Sequence, residues 1–268
     1  MAVRIGIDAG GTLTKVAYEE KERIHVKTYP NGQMERLLHW LQFTFPETRL
    51  VVTGGNSSLI KENSGHQVET VDEFTALTDG TRYLLTEEKL DAIKDFILVS
   101  IGTGTSIFRV TPDSYERLLG SGIGGGTWYG LSIRLTGERK FPELVKLAKD
   151  GDRSRNDLLV KDIYSGGEAP PISGELTAAN FGKAHIMEDA TPADHMASLT
   201  QFVGETLIML AGQAAAAQEV ETIVFTGSTL NGNIPLKNVL SGFQDMLPYD
   251  PVFLDRGGHA GAIGCLLV

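Results

Sequence analysis

The feature that most constrains this chain is that it begins twice. Val3 to Asp8 is a short apolar run that Gly10-Gly11 turns into a second strand, Leu13 to Glu19. Glu20-Lys21-Glu22 turns again, and Arg23 to Tyr29 alternates as a third strand. At residue 96 the plan recurs. Phe96 to Ile101 is a strand, Gly102-Thr103-Gly104 the turn, and Thr105 to Val110 the second strand. Pro112-Asp113-Ser114 then leads into a third at Tyr115 to Leu119. Repetition at half-chain scale predicts an α/β protein built from a duplicated domain, with a cleft between the copies.

The intervening segments fit that plan. Asn31 is expected to cap a helix carrying Met34, Leu37, Leu38, Leu41 and Phe45, stopped by Pro46. Arg49 to Thr53 reads as a buried strand. A helix starts near Glu73 with Phe74, Leu77, Tyr83 and Leu84, and Gly80 weakens its middle. In the second half, Thr191, Pro192 and Asp194 read as the cap and first turn of a long helix to about Gln218. Thr222 to Thr226 and Val252 to Leu254 are strands, and Gly257 to Leu267 a terminal helix. No linker separates the halves, so residues 1–95 and 96–268 are expected to be tightly joined lobes, with the terminal helix packing back.

Glycine is in excess, and its placement is informative. Six short stretches (8–15, 53–56, 102–106, 120–130, 227–232 and 257–264) hold 18 of the 31 glycines in 42 residues. They follow apolar strands, where backbone must turn sharply or approach a ligand closely. The formal charge of −10 argues against a nucleic-acid or anionic-membrane partner. It does not argue against ATP, because local amides and a metal ion outweigh a diffuse surface field. One cysteine, Cys265, excludes a disulfide framework and any Cys-rich metal site. The six histidines show no metal-ligand spacing. The opening residues lack the pattern of a signal peptide and no stretch is long enough to span a membrane, so a cytoplasmic protein is expected.

Asp8-Ala9-Gly10-Gly11-Thr12-Leu13-Thr14-Lys15 joins two strands through a turn with no side chains at its tip. Its amides (Gly10, Gly11, Thr12) can point at phosphate oxygens, and Lys15 can add a point charge. Asp8, at the strand end, can hold Mg²⁺ through water. Alone, such a turn reads more readily as a hairpin whose Asp caps it; a second glycine–threonine turn at 102–106 favours a polyphosphate gripped from both sides.

These residues resemble the acetate and sugar kinase/actin/heat-shock-70 ATPase superfamily, whose fold is a pair of ribonuclease H-like domains around a nucleotide cleft. Asp8 to Lys15 is similar to its first phosphate loop, Ile101 to Ser106 to its second, and Phe225-Thr226-Gly227-Ser228 to its adenosine motif. Further segments resemble the bacterial type II pantothenate kinases: Thr53-Gly54-Gly55-Asn56, Val71-Asp72-Glu73-Phe74, Arg117, Gly122 to Gly126, Leu176 to Gly182, and Gly258 to Gly264. That family phosphorylates pantothenate with MgATP.

The resemblance implies roles. Glu73 becomes the general base, although a carboxylate at a helix start is also stabilised by the helix dipole. Arg117 holds pantothenate or the transferring phosphoryl group, where a surface pairing with Glu116 is the plain alternative. Thr177 and Ala178 touch substrate. Asp8 to Lys15, Thr103, Gly125, Gly126, Thr127, Trp128, Tyr129 and Ser228 meet the nucleotide. Three consecutive glycines at 124–126 exceed what a packing turn needs. Phe141 departs from the family's tyrosine, keeping a ring that either stacks on adenine or sits in the core. Gly151 to Leu158 reads by default as a solvated charged face, and its likeness to the family's Gly-Asp-Arg stretch leaves a structural or interface role open. A homodimer is implied, with the long 192–218 helix suited to an interface. A sugar or N-acetylhexosamine kinase and a non-catalytic actin-like ATP switch stand as alternatives. Against the first, no convincing set of sugar-binding Asn, Asp and Glu is present; against dehydratase activators stands the single cysteine.

Overall fold

The computed structural model describes residues 4–164, 169–186 and 189–268. Its first half runs β1 (Arg4–Ala9), β2 (Leu13–Glu20), β3 (Arg23–Pro30), α1 (Met34–Thr44), β4 (Arg49–Thr53), α2 (Ser57–Asn63), β5 (Val68–Thr70) and α3 (Glu73–Glu87). The second half opens with β6 (Phe96–Ile101), β7 (Thr105–Val110), β8 (Tyr115–Ser121), α4 (Gly125–Thr136) and α5 (Phe141–Asp150). It continues through β9 (Leu158–Leu159), α6 (Val160–Ile163), β10 (Thr177–Ala179) and α7 (Pro192–Ala217). Last come β11 (Thr222–Thr226), α8 (Ile234–Ser241), β12 (Asp250–Phe253) and α9 (Ala260–Leu267). Val3, expected in the first strand, lies outside the described residues.

The duplication is complete at the level of the sheets. One sheet has the order β3-β2-β1-β4-β5 and the other β8-β7-β6-β11-β12. In each, the first three strands are antiparallel and the two that follow a helical crossover are parallel. Even a strained glycine repeats. Gly54 after β4 has φ +90 and lies against Ala9 O; Gly227 after β11 has φ +112 and lies against Ile101 O. Both positions need a left-handed backbone and have no room for a Cβ.

Strand alternation sorts the cores. Ile5, Ile7, Val16, Leu50 and Val52 face α1 and α2. In the second sheet, Ile97, Val99, Ile107, Ile223 and Phe225 face the α4, α5, α7 and α8 layer. The remaining faces look inward: Phe96, Leu98, Phe108 and Val224 share a cluster with Ala17, Leu84, Ala262 and Ile263. Helices α3 and α9 therefore lie between the two sheets. They are drawn very close together. A Cβ on Gly80 would sit 1.9 Å from Ala260 O, one on Gly264 1.7 Å from Ala76 O, and one on Gly6 of β1 2.0 Å from Ala262 O. Gly80, weak by propensity, is the condition for this crossing.

Two expectations are corrected here. Asn31 caps no helix: it opens a 3₁₀ turn and its side chain goes elsewhere, as described below. Gly151 to Leu158 is no solvated face. Asp157 is fully buried, accepting from Phe181 N at 2.9 Å and facing Arg153, and burial pushes its carboxyl above the usual range. Asp152 N donates to Asp194 Oδ1 (2.8 Å), which ties the segment to the start of α7.

Candidate active site

The turns that end β1 and β6 face each other. Thr12 Oγ1 and Thr103 Oγ1 are 3.2 Å apart. Between the sheets opens a cleft of about 1100 Å³ whose walls include Asp8, Gly10, Gly11, Thr12, Leu13, Lys15, Glu73, Thr103, Arg117, Gly125, Gly126, Tyr129, Phe141 and Ser228. Residues from seven separate segments thus converge on one cavity, of a size that holds a nucleotide with a second small molecule.

The first turn is held by partners the sequence did not reveal. Gly10 N donates to Leu13 O (3.1 Å). Gly10 O accepts from Asn31 Nδ2 at 3.0 Å and Asn56 Nδ2 at 2.8 Å, while Asn31 Oδ1 accepts from Thr14 Oγ1 at 3.3 Å. Gly10's own peptide groups are consumed inside the turn, so its amide is not a phosphate donor. Among the described residues, no turn hydrogen bond uses the amides of Gly11 or Thr12. Both residues line the cleft. Lys15 Nζ lies 3.0 Å from Asp8 Oδ2, and both side chains are largely buried.

The glycines at 124–126 are explained by packing. Each Cβ would strike the second turn or its neighbour: 2.7 Å from Gly104 C for Gly124, 2.0 Å from Thr229 Oγ1 for Gly125, 2.8 Å from Thr103 O for Gly126. Gly125 N and Gly126 N donate to Gly102 O and Thr103 O at 2.8 and 2.9 Å. The N-terminus of α4 therefore braces the Gly102–Gly104 turn with its free amides, the same groups that would otherwise bind an anion directly.

Several expected nucleotide contacts lie off the cleft. Trp128 is fully buried, its indole donating to Thr200 Oγ1 (2.9 Å); Gly125 and Tyr129 share the cleft face of α4 and Trp128 is turned to the core. Ala9 and Thr14 point into the first sheet's interior, and Thr127 Oγ1 donates to Gly122 O. Thr177 and Ala178 sit on the β9–β10 ribbon, outside the cleft walls, with Thr177 Oγ1 accepting from Arg153 Nη1 (3.1 Å). Phe141 stands between the cleft and the core. It lines the cleft and packs on Trp128 with ring centroids 5.3 Å apart.

Glu73 is the first residue of α3 and opens to the cleft. Its pKa is raised, chiefly by loss of solvation and then by Asp8, with Asp72 adding and Lys15 opposing. That direction moves a carboxylate towards the range where it can act as a base near neutrality. Arg117 reaches the same cleft from β8, its guanidinium over the Phe74 ring at 5.6 Å. It donates to Ser106 Oγ at 3.4 Å, while Glu116 sits opposite Arg109 in the ladder. A bulge decides this direction. Ile107 pairs with Leu119 but Phe108 pairs with Arg117, so Leu118 is an extra residue. The bulge lets Leu119 face the α4–α7 core while Arg117 and Tyr115 face α3. Behind the first turn, His259 Nε2 lies 2.9 Å from Thr28 Oγ1; burial, with Lys15 nearby, pushes the imidazole down to about 4 and keeps it neutral.

Comparison with known proteins places this geometry in a family. The Fumble family model matches residues 19–268. A type II pantothenate kinase of Oceanobacillus iheyensis is 45% identical over 264 residues, 98% of each chain. The chain belongs to the Fumble family of type II pantothenate kinases. A Bacillus cereus member is 41% identical over all of this chain and 98% of its own. Among solved structures, component A of (R)-2-hydroxyglutaryl-CoA dehydratase from Acidaminococcus fermentans matches with TM-score 0.67 at 14% identity, covering 100% and 97% of the two chains. A ROK-family glucokinase from Streptomyces griseus, in complex with glucose and AMPPNP, matches at TM-score 0.50 and 13% identity, covering 99% and 98%. This chain thus has the duplicated actin-like fold. No described helix is long and apolar enough to cross a membrane.

Proposed function

We propose that the protein phosphorylates the primary hydroxyl of pantothenate with MgATP, giving 4'-phosphopantothenate, the first step towards coenzyme A. The observation that carries the reading is Glu73 and Arg117 entering one cleft beside the paired Thr12 and Thr103 turns. In it, the polyphosphate lies between the turns and the adenosine end runs towards Phe141, Tyr129 and Ser228. Arg117 orients the acceptor or the transferring group through its planar donor fork. Glu73 accepts the hydroxyl proton as the new P–O bond forms and the bond to the β–γ bridging oxygen breaks, releasing ADP. Asp8 is the carboxylate at the phosphate turn, and the described residues hold no cluster of three or more metal-ligating side chains. That suits magnesium, which takes one carboxylate with waters and phosphate oxygens; when bound it neutralises charge on the transferring group.

The two sheets then form lobes 1–95 and 96–268. Substrate contact by Thr177 and Ala178 and a homodimer are satisfied together if the β9–β10 ribbon serves the cleft of a second copy. The function is tested by coupled ADP release with pantothenate, glucose, N-acetylglucosamine or no acceptor. Pantothenate should stimulate strongly and the sugars should not. Equal stimulation by a hexose would reassign the acceptor. Acceptor-independent hydrolysis accompanied by polymerisation would point to a nucleotide switch.

Phe141 should show its double duty. Loss of base stacking in Phe141→Ala is worth about 1–3 kcal/mol on the scale of nucleic-acid sites, so ATP KM should rise roughly five- to a hundredfold. The same variant removes a ring from Trp128 and should melt lower, with pantothenate KM spared. A Tm loss with unchanged ATP KM would confine Phe141 to the core.

A further inference from the structure

We propose that Tyr115 is a positioning residue for the phosphoryl transfer: it ties the N-terminus of α3, and with it Glu73, to the strand that carries Arg117. This rests on the reading of Glu73 as the base. The helix cap immediately before Glu73 is Asp72, and one oxygen of its carboxylate gathers four donors. Phe74 N (3.1 Å), Thr75 N (2.8 Å) and Thr75 Oγ1 (3.0 Å) come from α3 itself. The fourth, Tyr115 OH at 3.0 Å, comes from β8 in the other sheet, and it also lies 3.0 Å from Thr75 Oγ1.

An ordinary N-cap needs only the α3 amides. The tyrosine adds nothing to helix capping that Thr75 does not already supply. What it adds is a bond between the two halves of the chain, placed one residue from Glu73 on one side and two from Arg117 on the other. The Leu118 bulge makes this possible, since it turns Tyr115 and Arg117 together towards α3. An aromatic column backs the bond: Phe74 on Phe108 at 5.0 Å, and Phe108 on Tyr115 at 6.2 Å, both edge-on. The donors hold the Asp72 carboxyl below its usual range, the Thr75 amide first among them, so the acceptor stays ionised and the bonds charge-assisted. Base and arginine are thereby held at one spacing across the cleft.

The test is a double-mutant cycle between Tyr115→Phe and Glu73→Gln, with kcat, both KM values and Tm measured on each protein. Positioning predicts that Tyr115→Phe lowers kcat roughly five- to fiftyfold while ATP KM is unchanged, since small misplacements of reacting groups cost up to about 10²-fold. In the Glu73→Gln background the same change should cost nothing further, because the group it positions no longer takes a proton. Thr75→Val, which removes the other hydroxyl on the same oxygen, gives a second route should Tyr115→Phe fold poorly, and its kcat loss should likewise vanish in that background. Equal fold losses in both backgrounds, or a lowered Tm with intact kcat, overturn the proposal while leaving the base reading standing. A Glu73→Gln protein with near-normal kcat overturns the base reading and this proposal with it.

Discussion

Glu73→Gln should yield a protein that folds and binds ATP normally but turns over about 10²–10⁴-fold more slowly. The amide keeps the size of the side chain and removes the proton acceptor. Its effect on stability should be small, because two contributions oppose. A carboxylate in the first turn of α3 gains about 0.3–1 kcal/mol from the helix dipole, and Glu73 is also repelled by Asp8 and Asp72. The pH dependence follows from the same neighbours. A raised carboxyl pKa keeps the proton on to a higher pH, so the base form is lost as pH falls through a value above the ordinary 4.5. Wild-type kcat should carry that acid limb and the Glu73→Gln protein should lack it. Turnover within a fewfold of wild type, with the limb retained, would leave Glu73 as a helix-start carboxylate and nothing more.

The largest stability effect should come from a single methyl group added between two helices. A Cβ on Gly264 would lie 1.7 Å from Ala76 O and 2.6 Å from Ala76 C, both backbone atoms of α3. Neither can move unless the helix moves. Overpacking typically costs 1–3 kcal/mol, and with no flexible side chain to give way Gly264→Ala should reach about 3 kcal/mol or more. For a chain of this size that is a fall in Tm of roughly 6–12 °C. Gly32, with nothing within 4 Å of its Cβ position, is the control, and Gly32→Ala should stay within about 0.5 kcal/mol of wild type. A Gly264→Ala protein melting within a degree of wild type would mean that α3 and α9 are not packed this closely.

The duplicated strands were legible because each begins a half with a run of apolar residues and a glycine turn, signals that lie within a few neighbouring positions. Glu73 and Arg117 were legible only through resemblance, since spacing alone favours a dipole-stabilised carboxylate and a surface arginine. What stayed hidden depends on register or on distant partners. Nothing in Tyr115 to Leu119 announces that Leu118 is a bulge, yet that extra residue decides which way Arg117 points. Asn31 looks like a cap because Asn often is one, but its amide reaches back to Gly10, 21 residues earlier. The glycines at 124–126 look like ligand space because their neighbours, Gly102 to Gly104 and Thr229, are remote in sequence. The acidic and basic residues of 151–158 look solvated until Asp194 and Phe181 supply their partners.

The wedge that α9 drives between β1 and α3 has a consequence for how the protein is made. Gly6 and Ala262, which touch through backbone, are separated by almost the whole chain. At about 5–20 residues per second of synthesis, β1 leaves the ribosome roughly 13–50 s before its packing partner exists. During that interval the first sheet has one face covered by α1 and α2 and the other, bearing Ala17 and Val51, open to whatever the cell offers. The second half carries most of its own core in the α4–α8 layer and can settle first. The turn that emerges earliest therefore waits longest for the helix that packs behind its strand, and chaperone capture during that wait should favour the N-terminal sheet.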